Sequence, residues 1–472
     1  MTRIRTDICI IGAGSGGLSV AAGAVQMGAR VVLIEAGEMG GDCLNAGCVP
    51  SKALIAAAKA AQAMRTGASL GIAAAEPVID HGAVKDHVAR VIAAIAPVDS
   101  QARFEGLGAT VIRERARFTA PDEVAAGDHV IHARRFVIAT GSRPFVPPIP
   151  GIDTVPYLTN ETIFALRERP DHLIILGGGP IGMEMAQAHR RLGSEVTVIE
   201  AARAMGRDDP DLAGVVLAAV RDEGVRILEG QPVVRIAAKK GAIEVTLGDG
   251  TQLTGSHLLV AAGRAVAVDG LNLEAAGVAY TRKGVTVGPN LRSTNRRVYA
   301  VGDAAGGLQF THVAGYHAGV VIRQIVLGLP ARANMSHIPW ATYTDPELAQ
   351  VGLTEADARK VHGDALTVLR AEFAHNDRAQ AGATTNGLIK VMVVKGRPVG
   401  ASIVGPQAGE LIALWALAIS ARVRLSAIAG TVLPYPTLNE VSKRAVGAYF
   451  SPKLFDSPLL KRAVRVIQRL LP

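Results

Sequence analysis

Three cysteines occur in the 472-residue chain, and two of them, Cys43 and Cys48, stand five positions apart in a setting that suits electron transfer. The segment reads Gly40-Gly41-Asp42-Cys43-Leu44-Asn45-Ala46-Gly47-Cys48-Val49-Pro50-Ser51-Lys52, and an alanine-rich stretch predicted to be helical runs on to about Met64. In a regular helix, residues five apart are separated by about 7.5 Å along the axis. That exceeds the roughly 4.4–6.8 Å between Cα atoms that a disulfide spans. A Cys43–Cys48 pair therefore needs a bent segment, for which Gly47 and Pro50 supply the means. Cys48 then falls near the first turn of the helix, where the dipole and unpaired N–H groups favour a thiolate. Lys52, four residues on, shares its helical face and adds positive charge. The competing readings are two free buried thiols or half of a zinc site. The pair has no ligand histidines nearby, so no metal is expected and the redox reading is adopted. Cys9, inside the apolar run Asp7–Ile11, is read as a small core residue.

A redox pair needs something to exchange electrons with, and the surrounding elements indicate dinucleotides. Gly12, Gly14 and Gly17 follow a β-branched run near the start, and Gly177, Gly179 and Gly182 repeat the pattern 165 positions later. A second strand ends in an acid in both copies, at Glu35 and Glu200, each 18 positions beyond its third glycine. Such turns let backbone N–H groups approach a pyrophosphate at a helix N-terminus, while the acid accepts hydrogen bonds from a ribose diol. A single glycine turn often does no more than join a strand to a helix, but here context, spacing and duplication agree. Val298-Tyr-Ala-Val-Gly302-Asp303 reads as a buried strand returning to the first sheet, so the first domain is expected to be split. From about Ser336 the pattern changes to longer strands and apolar helices, read as a separate α+β domain.

Composition agrees with a multidomain α/β protein. The length predicts two to four domains; half the residues are hydrophobic, glycine numbers 52 and aromatics are scarce at 4%, which excludes disorder. The net charge of +9 lacks any accompanying zinc-knuckle, RNP-like or basic-helix signature, so no nucleic acid is expected and the charge is read as solubility plus attraction for anionic dinucleotides. Three cysteines exclude a secreted disulfide framework. No apolar run reaches the roughly 18 residues of a membrane span, and the early first strand leaves no room for a signal peptide, so a cytoplasmic location is expected.

These residues together resemble the flavoprotein disulfide reductases, the family of dihydrolipoamide dehydrogenase, glutathione reductase and mercuric reductase. The motifs carrying the resemblance span nearly the whole chain: both fingerprints, the cysteine box, Ala139-Thr140-Gly141-Ser142, Ala261-Ala-Gly263-Arg264, the Gly302-Asp303 return and Thr344-Asp-Pro346-Glu347. The resemblance implies an α/β fold with two Rossmann-like dinucleotide-binding domains, for FAD and NAD, plus a C-terminal α+β dimerisation domain that forms a homodimer. Boundaries follow as an FAD-binding domain over 1–147, an NAD(P)-binding domain over 148–265, a return segment over 266–335 and a dimerisation domain over 336–472. It also implies that Gly12, Gly14, Gly17, Glu35, Thr140, Gly141, Ser142 and Asp303 hold FAD, Asp303 at the ribityl chain. Gly177, Gly179, Gly182, Glu200 and Gly263 are implied for the nicotinamide cofactor. Cys48 is implied to face the flavin as a charge-transfer thiolate and Cys43 to meet the substrate, with Lys52 paired to Glu184 beside the flavin N5.

The departures from the family pattern bear on the substrate. Its reductases usually carry His-Pro-Thr-x-x-Glu near the C-terminus, the histidine reaching across the dimer as acid/base; here Pro434-Tyr435-Pro436-Thr437-Leu438-Asn439-Glu440 puts Tyr435 in its place, with Glu440 retained. A free phenol with a pKa near 10 donates a proton but is a poor base for a thiol at neutral pH. Tyrosine here resembles mercuric reductase, yet no cysteine follows Cys48 to serve as the C-terminal pair that hands over Hg(II) in that enzyme. Gly263-Arg264-Ala-Val-Ala also departs from the usual Gly-Arg-x-Pro-Asn.

The expected function is an FAD-dependent NAD(P)H oxidoreductase passing electrons through Cys43 and Cys48 to a disulfide, thiol-bound or related acceptor. NAD(H) is favoured by Glu200, whereas Arg203 and Arg207 keep NADP(H) as the alternative. The rival readings are an NADH diaphorase or quinone reductase, and a low-turnover flavin redox sensor. His312 and His317 are read as surface or core residues, and His375-Asn376-Asp377-Arg378 as a polar turn. The C-terminal Lys461, Arg462, Arg465 and Arg469 alternate at helical spacing with Leu460, Val464, Ile467 and Leu471. That amphipathic tail is expected to pack on its own dimerisation domain rather than on a membrane.

Overall fold

A computed structural model describes residues 2–471. The chain divides into two units, one of Met1–Ala63, Glu76–Ala201 and Ile227–Asn334, the other of Met64–Ala75, Ala202–Arg226 and Met335–Pro472.

The first unit is built on a seven-stranded sheet. Its strands are β1 (Thr2–Ile11), β2 (Val31–Ile34), β3 (Thr110–Ile112), β4 (Ala116–Ala120), β5 (Glu123–Ala126) and β6 (His129–Ile138), in the order β3-β2-β1-β6-β5-β4, with Val298–Ala300 added beside β6. The parallel pairs of β1 with β2 and β6 bury β1 on both faces, and its end is accordingly an unbroken apolar run. Ile8 and Ile10 enter one core with Leu18, Ala21 and Leu33. Cys9 and Ile11 enter the other with Val32, Phe136 and Ile138, and Cys9 is fully buried, a core residue as read from sequence. The return of the chain is also found: Val298 aligns with Phe136 and Ala300 with Ile138 in parallel register.

A second parallel sheet in this unit repeats the arrangement. β7 (His172–Leu176) lies between β8 (Glu195–Glu200) and β10 (His257–Val260), with β9 (Arg226–Glu229) outside β8. A short antiparallel pair, Ser142–Pro144 with Arg264–Val266, sets Ser142 opposite Val266 and Pro144 opposite Arg264. Helices α1 (Ser15–Gln26), α2 (Gly41–Asn45), α3 (Cys48–Arg65), α4 (Pro180–Arg191) and α5 (Thr311–Ile325) complete the parts that matter below.

The second unit is an antiparallel five-stranded sheet, β11 (Pro339–Thr342), β12 (Glu347–Gly352), β13 (Leu366–Glu372), β14 (Leu388–Val394) and β15 (Arg397–Gly405), ordered β11-β12-β15-β14-β13. Helices α6 (Ala413–Ser420) and α7 (Glu440–Phe455) cover it through Trp415, Val441, Ala445 and Val446, which pack on Ile389, Val391 and Ile403. The indole N–H of Trp415 is satisfied by Ser442 Oγ at 3.2 Å. The helix Pro210–Asp222 belongs to this unit, and its N-cap explains why. Asp209 accepts from Asp211 N and also receives the buried Lys390 ammonium of β14 at 3.0 Å, while Asp211 and Glu355 hold the same ammonium at 2.6 and 3.0 Å. Burial lowers the Lys390 pKa, but Asp211, Glu355 and Asp209 outweigh it and hold it above its ordinary value.

The tail forms the expected helix, α8 (Pro458–Leu470), but the expected packing on the dimerisation domain is not made within the chain: none of its residues is buried. The reason is local. Pro458 cannot continue the helix before it, and the Ser457 side chain caps a new one by accepting from Leu460 N, leaving α8 clear of the sheet's core. Among the described residues no helix is long and apolar enough to cross a membrane.

Candidate active site

The two glycine turns are superimposable in their hydrogen bonds. Gly12 N donates to Ile34 O at 2.8 Å and Gly177 N to Ile199 O at 2.9 Å. Glu35 accepts from Ala13 N at 2.5 Å and Glu200 from Gly178 N at 2.8 Å, so each acid braces the turn that precedes it. Gly12 and Gly177 sit at φ of +105° and +111°, which a side chain rarely adopts. A Cβ on the third glycine, Gly17 or Gly182, would strike the first glycine's carbonyl oxygen at 1.8 or 1.9 Å, so these two seal helix against strand. The middle glycines differ. Gly179 has nothing within 4 Å of its Cβ direction, and Gly14 only Gly41 Cα at 3.8 Å, which leaves the N-termini of α1 and α4 open to a phosphate.

The cysteine pair sits beside the first turn. Cys43 lies on α2, Cys48 opens α3, and Ala46-Gly47 makes the bend between them. Gly47 is required there, because a Cβ would meet Asp42 O at 2.9 Å and Cys43 Cα at 3.2 Å. Both sulfurs are free thiols, Cys48 at the surface and Cys43 half-buried. They are hydrogen-bonded to each other, and this bond most strongly separates them: it lowers Cys48 to about 6 and raises Cys43, which burial pushes further up. Burial opposes the drop at Cys48, whereas Thr311 Oγ1, 3.5 Å from its sulfur, and the Lys52 ammonium support it. Lys52 Nζ in turn donates to Glu184 Oε2 at 2.8 Å, and Glu184 is buried on α4 two residues past Gly182. A buried carboxylate needs such a cation.

A chain of polar contacts runs from the cysteines to Asp303. Asp42, next to Cys43, accepts from Asn160 Nδ2 at 2.8 Å and pairs with Arg264 Nη2 at 3.2 Å. Arg264 Nε donates to Ser142 Oγ at 2.7 Å, and Ser142 Oγ donates to Asp303 Oδ2 at 2.5 Å. Burial raises the Asp303 carboxyl pKa, opposed by Ser142 and by Arg264. Thr140 Oγ1 is buried with no hydrogen-bond partner among the described residues. An open glycine turn, an orphaned hydroxyl and a half-buried carboxylate in one region fit a long dinucleotide with phosphate and polyol parts. His317, buried on α5, accepts from Gly302 N at 3.2 Å and is a satisfied core residue, and His312 stacks on Phe310 at 5.3 Å.

Tyr435 and Glu440 lie in the second unit. Tyr435 is exposed, and its Oη donates to Asp377 Oδ2 at 2.8 Å. The hydrogen bond and charge of Asp377 raise the phenol pKa above its ordinary value. Asn376 fixes the two segments together: its side chain accepts from Ala379 N at 2.9 Å and donates to Thr437 O at 3.1 Å and Leu438 O at 3.3 Å. Asn376, Asp377, Glu440, Lys443 and Arg444 line a cleft of about 260 Å³. Sequence reasoning missed four of these participants. Arg264 stood inside a recognised motif and Asp42 beside a cysteine, Asp377 was taken for part of a polar turn, and Thr311 carried no signal.

Residues 6–318 match the family model described as pyridine nucleotide-disulphide oxidoreductase, and residues 338–446 match its dimerisation domain. The chain is 35% identical to the mercuric reductase of Acidithiobacillus ferrooxidans over 94% of this chain and 82% of that protein. It is 31% identical to the dihydrolipoyl dehydrogenase of Bacillus subtilis (strain 168), over 93% and 97%. Among solved structures, the HOCl-induced flavoprotein disulfide reductase RclA from Escherichia coli is similar at a TM-score of 0.84 and 30% identity, covering 93% of this chain and 99% of that one. LpdA from Mycobacterium tuberculosis is similar at 0.86 and 26%, covering 95% and 100%. The glycine turns, the cysteine pair and the C-terminal sheet thus have one common explanation: the chain belongs to the pyridine nucleotide-disulphide oxidoreductases, as a homodimeric, FAD-dependent enzyme whose candidate redox-active pair is Cys43–Cys48.

Proposed function

We propose that the protein is an NADH oxidoreductase that passes electrons through Cys43 and Cys48 to a disulfide, a thiol-bound ion or a related acceptor. In this reading residues 1–147 and 266–335 hold FAD, 148–265 hold the nicotinamide dinucleotide and 336–472 form the dimer. The observation that carries it is the thiol pair itself, Cys43 on α2 and Cys48 opening α3 across the Ala46-Gly47 bend, with the Lys52–Glu184 ion pair one turn beyond Cys48. When bound, FAD supplies acceptance of a hydride from NADH and delivery of two electrons to the cysteine disulfide. Gly12, Gly14 and Gly17 with Thr140, Gly141, Ser142 and Asp303 hold it, and Glu35 takes the ribose end. Cys48, receiving an electron pair as the S–S bond breaks, stays a thiolate beside Lys52, and Cys43 takes up one proton as a thiol. Cys43 then gives that proton to solvent and attacks the acceptor disulfide, whose leaving sulfur takes a proton from Tyr435, which is itself reprotonated from solvent. Cys48 displaces the second sulfur and closes the disulfide again.

Gly177, Gly179, Gly182 and Gly263 take the nicotinamide dinucleotide, and the Glu200 carboxylate at the end of β8 favours NADH, since a 2′-phosphate there meets a negative charge. The names of the relatives, mercuric reductase and a flavoprotein disulfide reductase solved as a Cu(II) complex, support a thiol-reactive acceptor. One observation favours a second reading. Tyr435, its proton held by Asp377, offers no base to a thiol substrate, which suits a diaphorase or quinone reductase whose cysteines only poise the flavin. Steady-state NADH turnover with disulfides, quinones and Hg(II), in wild type and Cys43→Ser, tests both. Disulfide or metal turnover that needs Cys43 supports the first reading, and cysteine-independent quinone turnover the second. A slow rate with every acceptor points to a redox sensor.

A further inference from the structure

We infer that α8 docks on an anionic phospholipid surface, its apolar face in the acyl boundary and its cations on lipid phosphates. At about 100° per residue, Leu459, Leu460, Val464, Val466, Ile467 and Leu470 fall within one arc of about 160°. Lys461, Arg462, Arg465, Gln468 and Arg469 fill the opposite side. No residue crosses from one arc into the other. A helix with such a stripe ordinarily buries it, yet here no residue is buried: Leu459 and Leu470 are 76% and 77% exposed and Ile467 47%. A helix of 13 residues gains little from local propensity alone, so the stripe is its main source of stability once covered.

Two observations bear on what covers it. The helix lies beyond residues 338–446, the extent of the matched dimerisation domain. No Asp or Glu follows Asp456, so the polar arc carries four cations and no acidic side chain. A second copy would bring the same cations and no acid from its own α8 to offset them. A lipid surface offers a continuous apolar phase bordered by phosphates, and cations at the edges of the stripe reach those phosphates along their alkyl stems. Each homodimer carries two such helices, so engagement of the second is intramolecular and strengthens binding beyond that of one. None of this depends on which acceptor the enzyme uses.

The test is co-sedimentation of the full-length holoenzyme with vesicles of phosphatidylcholine alone or with about a third phosphatidylglycerol, the anionic surface that attracts basic segments. The expected result is binding to the anionic vesicles only, reversed at about 0.5 M salt, where charges are screened within a few Å. Each cation removed should weaken binding about fivefold, so R462Q/R465Q should weaken it about 25-fold. V464E/I467E should abolish it, with NADH-dependent ferricyanide reduction and the dimer mass by sedimentation velocity unchanged. Failure to bind anionic vesicles, or equal binding to neutral ones, overturns the proposal. So does dissociation of the dimer by V464E/I467E, which would assign α8 to the subunit interface.

Discussion

The Tyr435 phenol gives its proton to a hydrogen bond with the Asp377 carboxylate, 2.8 Å away, so the residue standing in the family's histidine position is held in its protonated form. Histidine there titrates near neutrality; this phenol does not. Flavin reduction by NADH needs no acid or base at the thiols and should proceed normally in wild type. Dihydrolipoamide oxidation should be slower than in histidine-bearing relatives by about 10²–10⁴, the usual cost of a lost general base. Tyr435→His should recover part of it, and Tyr435→Phe should spare flavin reduction in stopped flow. Wild-type oxidation at the relatives' rate would remove the argument.

Asp377→Asn should bring the Tyr435 phenol back down toward its ordinary pKa near 10, because the charge and the acceptor that raise it are gone. Ultraviolet difference titration, with Tyr435→Phe subtracted to isolate one tyrosine of seven, measures this. A Tyr435 transition at the same pH in both proteins would show that Asp377 does not hold the proton.

Cys48 should be a thiolate above about pH 6 and a thiol below it. In the two-electron-reduced enzyme, the long-wavelength thiolate-to-flavin absorption should therefore fade on acidification through that value, and alkylation by iodoacetamide should rise with pH through it. Cys48→Ser should abolish the band and Cys43→Ser retain it. Lys52→Met, removing one of the groups that lower the thiol, should move the midpoint upward. A band that survives Cys48→Ser reverses the order of the sulfurs.

NADH should have the higher kcat/KM. Glu200→Ala should lower it about ten- to a hundredfold, the range for losing hydrogen bonds to a charged group, and should narrow the gap to NADPH. Arg203 and Arg207 follow closely, so a wild-type preference for NADPH would mean that they, not Glu200, decide the cofactor.

Lys390→Met should destabilise the holoenzyme by about 3–5 kcal/mol, since it leaves the Asp209 carboxylate buried without its cation. A denaturant-unfolding series reads this, and a loss below about 1 kcal/mol would place the cluster among ordinary surface pairs.

Local repetition made half of this molecule legible in its sequence. Glu35 and Glu200 were readable because each follows its own glycine turn at a fixed spacing, and the Cys43–Cys48 bend because Gly47 and Pro50 interrupt a helix. Lys52 with Glu184 came only from resemblance, for nothing in spacing joins residues 132 positions apart. Asp377 and Tyr435, 58 apart, and Asp209 and Lys390, 181 apart, meet through tertiary contacts that no periodicity announces. The helix Pro210–Asp222 joins the second unit through the latter pair. For α8 the pattern foretold two faces but not what covers them.

The ion pair between Lys52 and Glu184 has one end on the helix that begins with Cys48 and the other on the helix that begins at the second glycine turn. The two half-reactions thereby share a single electrostatic element. Binding free energies are reciprocal: whatever charge appears on the Cys48 sulfur is felt at Glu184, and whatever occupies the second turn is felt at Cys48. If the second turn takes the nicotinamide dinucleotide as proposed, its affinity and the reduction potential of the dithiol become, through those two side chains, one coupled quantity.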